Sequence, residues 1–242
     1  MNEQNETMAP EAQSGKRSKG KLGIVAGVLA AVVVAAGAGF WVWHETPGFC
    51  GAICHTPMDP YLATYEQDLH SEGVDKWGNA VESTDSMLAV THRALGEGCL
   101  SCHEPTLSQQ IGEGVAWVTG GYEALALAAG GVAIPERTLE ALAEARGAAP
   151  EAMCLNAACH ANADGSAMTR SDLAALTADE YGARNPHVDQ HGNAECSDCH
   201  KAHRQSVNYC SGCHADALVP DGWLSSAEAK KLEEASFGSV GE

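Results

Sequence analysis

The apolar residues of this chain are unevenly distributed. Leu22 to Trp43 is a run of twenty-two residues without a charge, and no later stretch matches it in length. At about 1.5 Å per residue it predicts a helix of about 33 Å, enough for a hydrocarbon core of about 30 Å. It is too long for the apolar part of a cleaved leader, and Phe40, Trp41 and Trp43 stand where small cleavage-site residues would be. Residues 1–21 are polar, carry Lys16, Arg17, Lys19 and Lys21, and predict a short cytoplasmic tail without fixed structure. The span 22–43 is therefore read as a retained single-pass anchor, its aromatic end forming the outer interfacial belt.

From residue 44 onward the periodicity is short and broken. Asp59 as N-cap with Pro60 behind it predicts a helix that places Tyr61, Tyr65 and Leu69 on one face. Leu107, Ile111, Val115 and Val118 recur at helical spacing beside Trp117. A helix is predicted from Glu136 to Arg146, between Pro135 and Gly147, and a short one over 171–181. Ser225 and Glu228 form a capping box for a last helix in 225–242. The fold class expected is mainly α with much irregular structure: one transmembrane helix, then a domain over 44–242.

What could hold such a domain together is suggested by its cysteines. There are ten, and every one belongs to a pair followed directly by His. Three pairs are Cys-x-x-Cys-His: Cys99/Cys102 with His103, Cys196/Cys199 with His200, and Cys210/Cys213 with His214. Two are widened: Cys50/Cys54 with His55, and Cys154/Cys159 with His160. Zinc sites also use Cys-x-x-Cys, and ten cysteines could make disulfides, but neither explains five histidines at the same offset. Thioether attachment of haem c does, because two thiols one turn apart reach both vinyl groups and the next residue lies under the iron. Five haems are expected, with His55, His103, His160, His200 and His214 as proximal ligands. In the widened motifs the extra residues must bulge out.

The remaining histidines sharpen this. His44 ends the apolar run, while His70, His92, His187, His191 and His203 lie among the motifs. Five spare histidines for five irons suggest bis-His ligation, with Met58, three residues after His55, as an alternative sixth ligand or a packing residue. Aromatic residues make up only 5 % of the chain, thin material for an ordinary core. Buried macrocycles would supply the missing apolar surface. From His44 on there are 10 basic against 29 acidic residues, a net of −19, which excludes nucleic acid as a partner and suits a basic docking face.

Cys-Gly-Ala-Ile-Cys-His-Thr-Pro-Met-Asp-Pro-Tyr after an N-terminal anchor, then a downstream His and Gly-Cys-Leu-Ser-Cys-His-Glu-Pro, resembles the NapC/NirT/NrfH family of membrane-bound quinol-dehydrogenase cytochromes over roughly residues 20–160. That resemblance implies menaquinol or ubiquinol oxidation near the first haem and a periplasmic reductase as partner. It suggests that the helix near 107–118 lies by a quinol pocket, with Gln110 and Glu113 as candidate polar groups; the same stripe could simply pack a haem or core. The chain departs from the family in its widened first motif, the position of Met58, the missing Lys of nitrite-type members, and five motifs where four are usual. Residues 181–215 resemble the tetrahaem domain of fumarate-reductase flavocytochromes, which implies His187, His191 and His203 as distal ligands. Residues 44–160 are thus read as the quinol-dehydrogenase-like part, 161–224 as a flavocytochrome-like haem pair, and 225–242 as a terminal helix.

The function expected is electron transfer from the quinol pool to an extracytoplasmic reductase in anaerobic respiration. The partner would be a flavoprotein of fumarate-reductase type or a nitrite-reductase-like cytochrome, since no Gly-rich nucleotide fingerprint is present here. Two rivals are a self-contained multihaem reductase with one open iron position, and an anchored shuttle that does not oxidise quinol.

Overall fold

In a computed structural model of the chain, residues 19–53, 58–121, 138–189, 191–192 and 194–237 are described. Cys54, His55, Lys16, Arg17, Pro135 and Glu136 fall outside them. The chain divides into two units, residues 1–44 and 45–242.

The first unit is helix α1, Lys19–His44, which begins three residues before the apolar run. Its Lys21–His44 part is long and apolar enough to cross a membrane. Apolar side chains are exposed along its whole length, from Leu22 to Trp43. A helix that is apolar on every side is a possible membrane span.

The second unit is mainly helical, with short elements. Helices α2 (Pro47–Ile53) and α3 (Asp59–Tyr65) lead to a two-stranded antiparallel ribbon, β1 (Gly73–Val74) and β2 (Ala80–Val81). Then come α4 (Leu88–Ala94), α5 (Leu107–Thr119), α6 (Leu139–Ala145), α7 (Arg170–Leu176), α8 (Ala178–Tyr181) and α9 (Cys196–Cys199). Strands β3 (Val207–Asn208) and β4 (Leu224–Ser225) pair in parallel before α10 (Ser226–Phe237).

Three helix ends differ from the sequence expectation. Met58, not Asp59, is the N-cap of α3, so Asp59 sits in the first turn, where its charge favours the helix dipole. Helix α6 starts at Leu139 because the Thr138 hydroxyl accepts from the Ala141 N–H at 3.1 Å and caps it there. The 171–181 helix is broken at Thr177, whose hydroxyl donates back to the Leu173 carbonyl at 2.7 Å and also binds side chains from a later loop. The Ser225–Glu228 box forms as expected, each residue bonding the other's backbone N–H.

Packing is centred on a segment that returns late in the chain. Residues 201–208 run beside 76–90: the Lys76 N–H donates to the His203 carbonyl, Leu88 to Lys201 and Ala89 to Ala202, each at 2.9 Å. Ser206 donates from its N–H and its hydroxyl to the Ser86 carbonyl, and Leu224 closes the far side by donating to the Ser206 carbonyl. Met87, Val90 and Val207 are fully buried here, beside the equally buried polar Thr64, Thr84 and Ser206. A second cluster joins Leu139, Ala143 and Met153. Among the described residues only Pro60 and nine other apolar side chains are buried, which leaves the domain short of apolar core.

Candidate haem-binding sites

The three standard motifs close in the same way. In each, the His N–H donates to the carbonyl of the first Cys, His103 to Cys99 at 2.8 Å, His200 to Cys196 at 2.9 Å and His214 to Cys210 at 2.8 Å. One closed turn brings both thiols to one side and sets the imidazole beneath. Local caps start the last two turns: Asp198 accepts from the Glu195 N–H at 2.8 Å, and Asn208 accepts from the Cys210 N–H at 2.9 Å. The widened motif at 154–160 is organised instead by Asn156, whose carboxamide oxygen accepts from the Ala158 and Cys159 N–H groups at 2.9 and 3.0 Å. The extra residues form a loop around that side chain. Asn156 was not singled out from sequence, although an Asn inside an overlong spacer is a turn signal.

The two thiols of a motif are not equivalent, although the sequence expectation treats them alike. Of the three standard motifs only the fourth is a full α-turn, with both Cys196 and Cys199 inside α9 and both half-buried. In the second and fifth motifs the turn is the tighter 3₁₀ form, Cys99–Ser101 and Tyr209–Gly212, and it stops one residue short of the second cysteine. Cys102 and Cys213 therefore sit at the C-caps, each donating its N–H to the carbonyl of the first Cys at 3.2 Å. Both are exposed, as is Cys159 at the end of the widened loop, while their partners Cys99, Cys210 and Cys154 are half-buried. In these three motifs the first thiol is set by packing, and the second stands at the surface.

Long-range packing then brings each of four motif histidines to a spare one. The ring centres of His103 and His203 are 6.4 Å apart, and those of His160 and His92 are 6.2 Å apart. His200 and His187 stand 6.4 Å apart, and His214 and His191 6.0 Å apart, both nearly parallel. Three of the spare rings are oriented through Nδ1. His92 Nδ1 donates to the Leu88 carbonyl at 2.7 Å. His203 Nδ1 lies 2.7 Å from the Thr64 hydroxyl, which spends its proton on the Tyr61 carbonyl and so accepts from the ring. His187 Nδ1 meets the Thr177 hydroxyl at 3.0 Å in the same way. In all three, Nε2 is the bare nitrogen. Burial lowers the pKa of His160 and His187 and brings His200 down to about 4, so these rings are neutral at pH 7.

His70 is different. Its backbone N–H and its Nδ1 both bond the Asp85 carboxylate at 2.7 Å, its φ is +56°, and its side chain is 76 % exposed. Desolvation opposes it, but these hydrogen bonds hold the Asp85 carboxyl below its ordinary range. Met58 is half-buried at the start of α3.

The thiols also meet between motifs. Cys50 is hydrogen-bonded to Cys99 and Cys154 to Cys196; the bond raises the first thiol of each pair and brings the second down to about 7. Arg146 ties the third motif's approach to the second by donating to the Leu100 carbonyl at 2.9 Å and to that of Ser101. Arg170 joins the third to the fourth, binding Glu151 at 2.6 Å and the Ala194 carbonyl at 2.7 Å. Burial pushes the Cys199 thiol up, and the backbone of Tyr209, beside Cys210, works against that. The second motif is therefore linked to the third, and the third to the fourth.

Helix α5 begins at a capping box of Thr106 and Gln109 and ends at Gly120, whose φ of +69° suits a residue without Cβ. Leu107, Ile111, Val115 and Val118 are exposed along one stripe. Gln110 and Glu113 are exposed as well, and Glu113 is close enough to Cys50 to act on its thiol electrostatically.

The cytochrome c3 family profile matches residues 139–215. A curated relative, Cytochrome c-type protein Cgr1 of Eggerthella lenta, is 55 % identical over 214 residues, 88 % of this chain and 91 % of that protein. The chain belongs to this family of multihaem c-type cytochromes. No solved structure matches it.

Membership makes haem c the group the residues have to fit, and they do. Two imidazole nitrogens each about 2 Å from one metal, with ring centres roughly 1.2 Å behind them, stand about 6.4 Å apart, the separation seen in the four pairs. Unprotonated Nε2 atoms, hydrogen-bonded Nδ1 atoms and neutral rings are what an iron ligand requires. Exposed second thiols at Cys102, Cys159 and Cys213 suit attachment too, since each can be reached by a vinyl group from outside the fold. Electron transfer is the corresponding activity of such a cytochrome.

Proposed function

We propose that the chain is a membrane-anchored pentahaem cytochrome that carries electrons from the quinol pool to an extracytoplasmic reductase. The observation that carries this reading is the four imidazole pairs strung along the motifs, because they supply a row of neighbouring redox sites. When bound, haem c contributes a one-electron iron couple at each position. The ten motif cysteines attach it. His103 with His203, His160 with His92, His200 with His187 and His214 with His191 would hold the iron in pairs, and His55 would be the proximal ligand of the first site. His70 stands outside this set, and Met58 packs at the first site.

Helix α1 is the anchor, with its basic end cytoplasmic and residues 44–242 on the opposite side. The exposed stripe of α5 rests on the membrane surface, with Gln110 and Glu113 beside the first site for quinol binding. Electrons enter at Cys50–His55 and leave at Cys210–His214, towards a flavoprotein of fumarate-reductase type or a nitrite-reductase-like cytochrome.

Membranes containing the protein should show haem reduction by a menaquinol analogue, slowed at least tenfold by Gln110→Ala with Glu113→Ala. Reduction at full rate would remove α5 from the quinol site, and no reduction by any quinol would leave the shuttle reading. A high-spin signal shifted by nitrite would instead favour a self-contained reductase. The axial map is read separately. His203→Ala should create one high-spin haem, and the effect should vanish when Cys99 and Cys102 are also replaced, whereas His70→Ala should leave the low-spin content unchanged.

A further inference from the structure

The four imidazole pairs have similar separations but different ring orientations. The planes of His214 and His191 lie 12° from parallel, those of His200 and His187 17°, and those of His103 and His203 30°. The rings of His160 and His92, by contrast, are crossed at 78°. Each crossed ring stands on its own scaffold. His92 is turned by its own helix, since its Nδ1 donates to the Leu88 carbonyl one turn back in α4. That helix is held in turn by the Leu88 and Ala89 N–H groups, which donate to the Lys201 and Ala202 carbonyls. His160 stands between the loop shaped by Asn156 and a tight hairpin, in which the Met168 N–H donates to the His160 carbonyl at 3.0 Å and Ala161 pairs with Ala167. The aligned rings of His187 and His203 are set differently, by the hydroxyls of Thr177 and Thr64.

Orientation matters because an imidazole donates π density only perpendicular to its own plane. Two parallel rings raise the same iron d orbital twice. That orbital is the half-filled one in ferric iron, so the ferric state is stabilised. Two crossed rings raise two different orbitals once each, and the ferric state gains less. Ligand identity is the same in all four pairs and does not separate them, which leaves orientation as the lever. We propose that the crossed His92–His160 pair makes the third site the place where an electron rests, at a higher potential than the aligned second, fourth and fifth sites. His92 sets this property, because the Leu88 carbonyl fixes its plane just as outer hydrogen bonds orient metal-bound histidines generally. Each transfer is of one electron: the third iron goes from ferric to ferrous as a ferrous neighbour returns to ferric.

This inference rests on the four pairs ligating haem iron, and the two can fail separately. The test is a redox titration of the full-length protein in detergent, followed by electron paramagnetic resonance. Crossed rings leave two d orbitals nearly equal in energy and give a strongly anisotropic ferric signal at low field, whereas aligned rings give an ordinary rhombic one. A low-field signal is expected, and it should disappear before the rhombic signals as the potential is lowered. His92→Ala should abolish it and create one high-spin haem, while the rhombic signals keep their intensities and midpoints. Where His92→Ala does not accumulate, Cys154→Ala with Cys159→Ala should remove the same signal. No new high-spin haem in His92→Ala would overturn the ligand pairing and the inference with it. Low-spin ligation with rhombic signals alone, a low-field signal that outlasts removal of the third site, or one reduced no earlier than the rhombic signals would overturn the inference alone.

Discussion

The domain contains two regions that hold their shape by different means. Residues 59–94 with 201–237 are interwoven by long-range backbone hydrogen bonds, such as Lys76 to His203 and Leu224 to Ser206, around the buried Met87, Val90 and Val207. Among the described residues, 138–199 have only the small Leu139, Ala143 and Met153 cluster and are otherwise a series of local caps and turns. Backbone pairing between distant segments survives without a cofactor, whereas capped turns shorter than two helical turns have little stability alone. The second region should depend on its iron ligands for its fold, and the first should not.

The largest expected effect tests that contrast directly. Replacing Cys154, Cys159, Cys196 and Cys199 by Ala should bring amide exchange in 138–199 close to unprotected rates, while amides of 74–90 and 201–208 remain protected. Equal loss in both regions would break the comparison. Met87→Ala reverses the emphasis: Met87 is fully buried in the interwoven region, and its truncation should cost about 2–5 kcal/mol in denaturant unfolding. Arg170→Ala removes the clamp on Glu151 and the Ala194 carbonyl, and should cost about 1–3 kcal/mol, read as lost protection in 138–199. Thr169→Ala, which removes the cap of α7, should cost about 1 kcal/mol.

The same cap gives the smallest and most easily signed effect. Hydrogen bonds from the Thr169 hydroxyl and backbone, with one from Asn162, hold the Asp172 carboxyl below its ordinary value. Its contribution is therefore complete above the ordinary carboxylate range, near pH ~4, and is lost as pH falls through the lower folded value. Asp172→Asn should flatten the acid limb of the stability profile by lowering the neutral plateau towards the acid level.

Much of this was legible in the sequence where the physics is local. The charge-free run before His44, the Ser225–Glu228 box and the stripe on α5 depend on residues within a few turns of one another. The three standard motifs form one closed turn each, as their spacing requires, but the spacing did not tell that Cys102 and Cys213 would lie just past a 3₁₀ turn and Cys199 inside an α-turn. The pairing of histidines was not legible, because it depends on how residue 203 lies against Thr64 and residue 187 against Thr177, contacts that span 139 and 10 residues. Thr177 shows why the 171–181 helix was overextended. Its hydroxyl is drawn into the Asn185 and His187 contacts, and no local propensity contains that information. Arg146 and Arg170 were missed for the same reason, since a single Arg in a short helix carries no signal until its carbonyl acceptors are in place.

The position of His203 has a topological consequence. It is held by Thr64 on one side and faces His103 on the other, so an iron bonded to both imidazoles would tie together residues a hundred positions apart in the chain. A cross-link closing a loop of that length removes about 4.7 kcal/mol of denatured-chain entropy in the simplest polymer account. The oxidised, ligated protein should then unfold from a chain already closed into rings, and its refolding should begin with most of the long-range search completed.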